Sequence, residues 1–105
     1  MKTNLLKETE EILKEHGKTF DDVVWAGIRN EYTVPLDDFK KAIDEEYDAF
    51  AGDAPNIPRK LVICGKDFYL SRVFNGLCEG WKYTEIPVMP ETVCGQSKYD
   101  FWRKN

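Results

Sequence analysis

Five carboxylates crowd a short stretch of this chain: Asp37, Asp38, Asp44, Glu45 and Asp48. On a helix, about 100° per residue sends Asp37, Asp44 and Asp48 to one side, flanked by Asp38 and Glu45. Leu36, Phe39, Ile43, Tyr47 and Phe50 then line the other side, and Lys41 interrupts the acidic one. From Asp37 to Asp53 there are seven acids against two lysines, a net charge of −5. A rigid row of carboxylates can occupy a basic groove built for phosphates, because the attraction steers association. Carboxylates at i and i+4, such as Asp44 and Asp48, are also weak ligands for calcium or magnesium. A solvated face is the expectation here, with no metal and no cofactor.

Other reactive groups lead nowhere obvious. His16 is the only histidine, and no neighbouring motif supplies partners for base catalysis. It falls in the last turn of an expected helix, where an imidazole favours the negative end of the dipole. Gly65-Lys66 lacks the upstream glycine of a phosphate-binding loop. Cys64, Cys78 and Cys94 form no Cys-x-x-Cys pair and leave one thiol over under any bridging, so reduced thiols are expected. Enzymatic activity is not expected.

A second constellation is aromatic. In an alternating strand Phe68, Leu70, Arg72 and Phe74 share one face, while Tyr69, Ser71 and Val73 share the other. In the next strand Trp81 and Tyr83 share a face. Exposed together, Arg72, Trp81 and Tyr83 would stack on single-stranded bases. Buried, they would be the apolar face that any sheet needs, and the acidic net charge favours that alternative. A third group, Tyr99, Phe101 and Trp102 with Lys98, Arg103 and Lys104, is read as a tail docked on the domain. An exposed hook for a partner is the other reading.

The elements that must position these groups follow from periodicity. Thr3 is a plausible N-cap for a helix from Asn4 to about His16, with Leu5, Leu6, Thr9, Ile12 and Leu13 on one face and Gly17 as the stop. Val23–Ala26 and Tyr32–Val34 form a short hairpin, with Trp25 placed in the core. Pro35 opens the second helix, which should end near Tyr47 or Phe50. Ala51 to Arg59, with two prolines and a glycine, is a linker. Leu61–Cys64, Phe68–Phe74 and Trp81–Ile86 form a three-stranded meander. Pro87 onward is an extended tail. The fold class is therefore α+β: an antiparallel sheet of about five strands, hairpin plus meander, with two helices packed on it.

At 105 residues, 42% hydrophobic and 13% aromatic, the chain is expected to be one domain with one modest core. No apolar run approaches a membrane span, and MKTNLLKETEEIL is not expected to be a signal peptide. Residues 1–53 hold 14 acidic and 7 basic side chains and residues 54–105 hold 5 and 8, so the net −4 divides into −7 and +3. One acidic and one mildly basic surface are expected.

The order GKTFDDVVWAG, VPLDDFKKAIDEEYD, KLVICGKDFYLSRVFNGLCEGWKYTEIPVMP resembles a family of small proteins from phages and mobile elements of Firmicutes-like gut bacteria. The resemblance spans about residues 15–90. It rests on Gly17-Lys18-Thr19, Asp22-Val23, Trp25, Phe39, Glu46-Tyr47-Asp48, Leu61-Val62-Ile63, Gly65, Phe68-Tyr69-Leu70, Arg72, Gly76, Trp81 and Pro87. Phe68-Tyr69 replaces a Trp-rich pair, and Cys78-Glu79-Gly80 a more polar approach to Trp81. The family has no established catalytic residues, so none transfers. The family is of unknown function; the resemblance implies a bacterial cytoplasmic setting and, taken together with the acidic helix, an anti-CRISPR-type role. Its expected partner is a type II RNA-guided effector nuclease or another bacterial defence protein, held by the acidic residues without direct nucleic-acid contact. A single-stranded nucleic-acid binder, or a phage accessory subunit with a purely oligomeric role, is the alternative. Oligomeric state stays open.

Overall fold

In the computed structural model, residues 2–93 and 95 are described. The chain begins with a short strand, β1 (Lys2–Asn4), that runs directly into helix α1 (Leu5–Glu15). Asn4, rather than Thr3, caps α1, its side chain accepting from the Lys7 amide at 2.9 Å. That satisfies one of the amides a helix leaves unpaired at its start. His16 closes the helix, and Gly17 follows at φ 70°, the left-handed conformation that glycine adopts without strain. A 3-10 turn, Phe20–Asp22, leads into β2 (Val23–Ile28), which pairs with β3 (Tyr32–Val34).

Helix α2 (Leu36–Ile43) is shorter than its apolar spacing suggested. The chain leaves the helix at Asp44, and Glu46–Asp48 forms β4, antiparallel to β1. Local electrostatics contribute to the stop, and the Asn4–Asp44 bond and the β1–β4 pairing hold it. Had the helix run on to Tyr47, Asp44, Glu45 and Glu46 would have crowded its negative end, where acids are unfavourable. Ending at Ile43 puts Lys40 and Lys41 in the last turn instead. Tyr47 is buried either way, because β4 also points it inward while Glu46 and Asp48 face outward.

After the 51–59 linker come β5 (Leu61–Gly65), β6 (Phe68–Phe74) and β7 (Glu79–Glu85). The main sheet has five antiparallel strands in the order β3-β2-β5-β6-β7, and β1 with β4 makes a separate two-stranded sheet. The expected α+β architecture is therefore present, with the small β1–β4 sheet as an addition. Both helices cover one face of the main sheet. Leu5 and Leu13 of α1, with Phe39 and Ile43 of α2, join one core with Ala26, Ile63, Phe68, Leu70 and Trp81.

Trp25 is not in that core. The pairing of β2 with β5 shifts register between Val23 and Trp25, a bulge that breaks the strict alternation. Val23 and Ala26 therefore both point to the helices, and Val24 and Trp25 fall on the other side, Val24 63% exposed and Trp25 half-buried. Pro87 to Val93 has no regular secondary structure. The Tyr99–Trp102 cluster and Cys94 lie outside the described residues. Cys64 and Cys78 are free thiols. Among the described residues, no helix is long and apolar enough to cross a membrane.

Gly27 holds the β2–β3 hairpin together. A Cβ there would sit 2.3 Å from the Tyr32 carbonyl oxygen and 2.8 Å from the Thr33 Cα, both backbone atoms of the paired strand. Gly27→Ala should lower stability by at least about 2 kcal/mol, in the range of overpacked sites. Thermal unfolding followed by circular dichroism should show a melting point lower by about 10 °C.

Candidate partner-binding surface and the buried arginine behind it

The five carboxylates lie around α2 and the turn that follows it, but not in a single helical row. Asp37 and Asp38 stand in the first turn of α2, both exposed. They favour the positive end of the helix dipole there. Asp44 is the exposed C-cap residue, and its Oδ1 accepts from Asn4 Nδ2 at 3.0 Å. Glu45 is exposed, and its backbone carbonyl accepts from the Leu5 amide at 3.0 Å. Asp48 is on β4, half-buried, with Oδ1 accepting from the Phe50 amide at 3.0 Å. The expected common helix face is therefore not formed: of the five only Asp37 and Asp38 stand on α2, Asp44 and Glu45 lie in the turn after it, and Asp48 is on a strand. Among the described residues, no ion pair ties Asp37, Asp38, Asp44 or Glu45 to a lysine or arginine. Sequence reasoning overlooked Glu46, which is exposed beside them. Its acidic neighbours were the available signal.

A cleft of about 310 Å³ opens at this surface, walled by Lys2, Glu45, Glu46, Tyr47, Asp48 and Asn56 among others. Lys2 and Asp48 share the wall with the exposed carboxylates of Glu45 and Glu46, and those two suit a cationic side chain. Among the described residues, no group of three or more His, Cys, Asp or Glu side chains is arranged to hold a metal ion.

What fixes the surface lies behind it. Arg72 projects from β6 towards the helices, its side chain only 3% exposed. Its Nη2 donates to Glu79 Oε2 at 3.4 Å and to the Tyr47 hydroxyl at 3.2 Å. Nη1 lies 3.7 Å from Glu8 Oε1. The guanidinium packs over the rings of Trp81, at 4.7 Å, and Tyr47, at 5.4 Å. Tyr47 in turn donates its hydroxyl to Glu8 Oε1. Glu79 accepts from the Asn56 and Ile57 amides, and Asn56 Nδ2 donates to the Asp48 carbonyl. One buried cation thus joins α1, β4, β6, β7 and the linker. Its Nε and Nη1 make no hydrogen bond, so the ion pairs and rings must offset much of the desolvation.

The aromatic constellation is accordingly not a platform. Arg72 and Trp81 are buried beneath the helices, and the Trp81 indole N–H donates to Thr9 Oγ1 at 2.8 Å. Tyr83 is half-buried, stacked on His16 at 3.7 Å between centroids and on Phe68 at 5.3 Å. The sheet needed one apolar face to cover, and these residues share it. His16 serves as the cap of α1 and as the lid on Tyr83.

Burial, reinforced by the bond to Glu8 and opposed by Arg72, pushes the Tyr47 phenol up to about 12. Because the folded state holds this proton above the unfolded pKa of roughly 10, stability is complete below pH 10 and declines as pH rises towards 12. Tyr47→Phe should start less stable but lose less across that window. Urea titrations of both proteins between pH 9 and 12 read the difference.

Removing the cation leaves Glu79, 2% exposed, charged and without a counterion. Arg72→Met should therefore cost about 3–5 kcal/mol, as expected when one partner of a buried pair is deleted. Adding Glu79→Gln should recover part of that loss. A double-mutant cycle in urea measures the coupling.

No protein-family model matches this sequence, and no curated protein or solved structure is significantly similar to it.

Proposed function

We propose that this chain is a non-enzymatic inhibitor that occupies the cationic nucleic-acid groove of a bacterial effector nuclease, with a type II RNA-guided nuclease as its target. The observation that carries the reading is the state of Asp37, Asp38, Asp44 and Glu45: exposed, and free of ion pairs to lysine or arginine among the described residues. Acids neutralised by their own lysines would have little charge left to offer a partner. These retain it, and two of them are fixed in place: Asp44 accepts from Asn4 Nδ2, and the Glu45 carbonyl accepts from the Leu5 amide. Pre-organisation matters because long-range attraction raises the rate of encounter, while fixed geometry limits the entropy lost on docking.

Such nucleases hold an RNA–DNA heteroduplex in a positively charged channel and read a short flanking motif with arginines. Carboxylates spaced on a protein surface compete for those same cations. The cleft beside Glu45 and Glu46 has room for one arginine or lysine side chain of the partner. The resemblance to phage-borne proteins supports the choice of target and of the bacterial cytoplasm as the proposed setting. No nucleic acid is contacted in this reading.

The test reverses charge at side chains that make no hydrogen bond or ion pair among the described residues, with only a small helix-dipole contribution at stake. Asp37→Lys, Asp38→Lys and Glu45→Lys together should leave the circular dichroism spectrum unchanged. Association with the purified nuclease should slow by roughly 100-fold at low salt, as expected for lost electrostatic steering. Lys41→Glu should act in the opposite direction. Full inhibition by the folded triple variant removes the acidic surface from the account.

A further inference from the structure

The face of the main sheet turned away from the helices has a different chemistry. Trp25, Cys64, Tyr69 and Thr84 are cross-strand partners in a continuous row over β2, β5, β6 and β7. Trp25, Tyr69 and Thr84 are half-buried there, with part of each side chain open to solvent. Ser71 and exposed Lys82 are partners in the next row on the same face. No outward position of these strands is Asp or Glu. Alternation along β7 explains the separation: Glu79 and Glu85 point to the helical side, Lys82 and Thr84 to the other. Ile28 pairs with Leu61 at the end of both strands, and in the turns beyond them lie Arg29 and Lys60, both exposed, the Arg29 amide donating to the Lys60 carbonyl at 2.9 Å.

We infer that this outward face is a weak binding site for single-stranded nucleic acid, independent of the acidic surface on the opposite side of the sheet. Charge decides the occupant. Aromatic rings, hydroxyls and cations, with Glu31 beside Lys60 as a neighbouring carboxylate, suit a polyanion that offers stacking faces. Trp25 and Tyr69 are two strand spacings apart, about 10 Å, on one pleated surface. Aromatics set on a sheet in this way stack unpaired bases, whereas duplex bases are not available to them. Lys82, Arg29 and Lys60 then meet phosphates. Lys60 is also 3.3 Å from Glu31 Oε2, which reduces its share. The chain's net −4 opposes the ligand at long range, so binding is confined to low ionic strength.

Fluorescence anisotropy tests this with labelled oligothymidylate, the matching duplex and the full-length protein, no nuclease being present. The single strand should bind and the duplex should not. Log affinity should fall against log salt with a slope of roughly −2, the value for about three neutralised phosphates on a single strand. Lys82→Glu, at an exposed site, should keep the fold and weaken binding at least fivefold. Tyr69→Ala should weaken it further, and Tyr69→Phe should restore it. Equal binding of duplex, no binding at low salt, or an unaltered affinity in Lys82→Glu each overturns the inference. So does concentration-dependent self-association abolished by Tyr69→Ala, which would make the face a contact between copies. None of these outcomes touches the acidic-surface reading, whose test uses the nuclease and different residues.

Discussion

The guanidinium of Arg72 is the interaction on which the rest of the structure depends. It stands at the one place where α1, β4, β6, β7 and the linker meet, through Glu8, Tyr47 and Glu79. A buried ion pair is seldom a large net gain, because desolvation takes back much of the attraction. Its value here is positional. Tyr47 can reach Glu8 and Arg72 only if the chain leaves α2 at Ile43 and returns as a strand beside β1. The short β1–β4 sheet, three residues on each side, would be marginal alone. The buried arginine gives it something to be fastened to.

That fastening also sets the surface. The chain from Asp44 to Tyr47 is held by Asn4 Nδ2 on the Asp44 carboxylate, by the Leu5 amide on the Glu45 carbonyl and by the Tyr47 hydroxyl on Glu8, and the Asp44 and Glu45 side chains stay exposed. Their charge is left for solvent or for a partner. On the other side of the sheet, the period of two sorts the residues of β7 with equal strictness. Both glutamates go to the helical side and the lysine to the open one. The molecule thus has exposed carboxylates around α2 and a lysine on the open face of β7, which its modest net charge conceals.

Much of the architecture was legible in local patterns. The meander announced itself through Leu61–Cys64 and Phe68–Phe74, bounded by Gly65 and by Asn75-Gly76. α1 did so through the spacing of Leu5, Thr9 and Leu13, all buried as that spacing requires. The misreadings have identifiable causes. Tyr47 has the correct spacing for a helix and the correct parity for an inward strand residue, so its burial could not separate the two. Trp25 was misplaced because a bulge after Val23 shifts parity by one, and nothing in VVWAG marks it.

By itself the sequence determined which residues were apolar enough to demand cover, where turns had to fall and that acids outnumber bases in the first half. Those are properties of neighbours along the chain, set by helix and strand periods and by glycine and proline. Which acids remain free of ion pairs, that Arg72 is a buried clasp instead of a stacking group, and that Trp25 and Tyr69 look outward were decided only by tertiary structure. Each depends on contacts between residues far apart in the chain, such as Tyr47 with Arg72 or Trp25 with Cys64, and local periodicity has no knowledge of a partner strand.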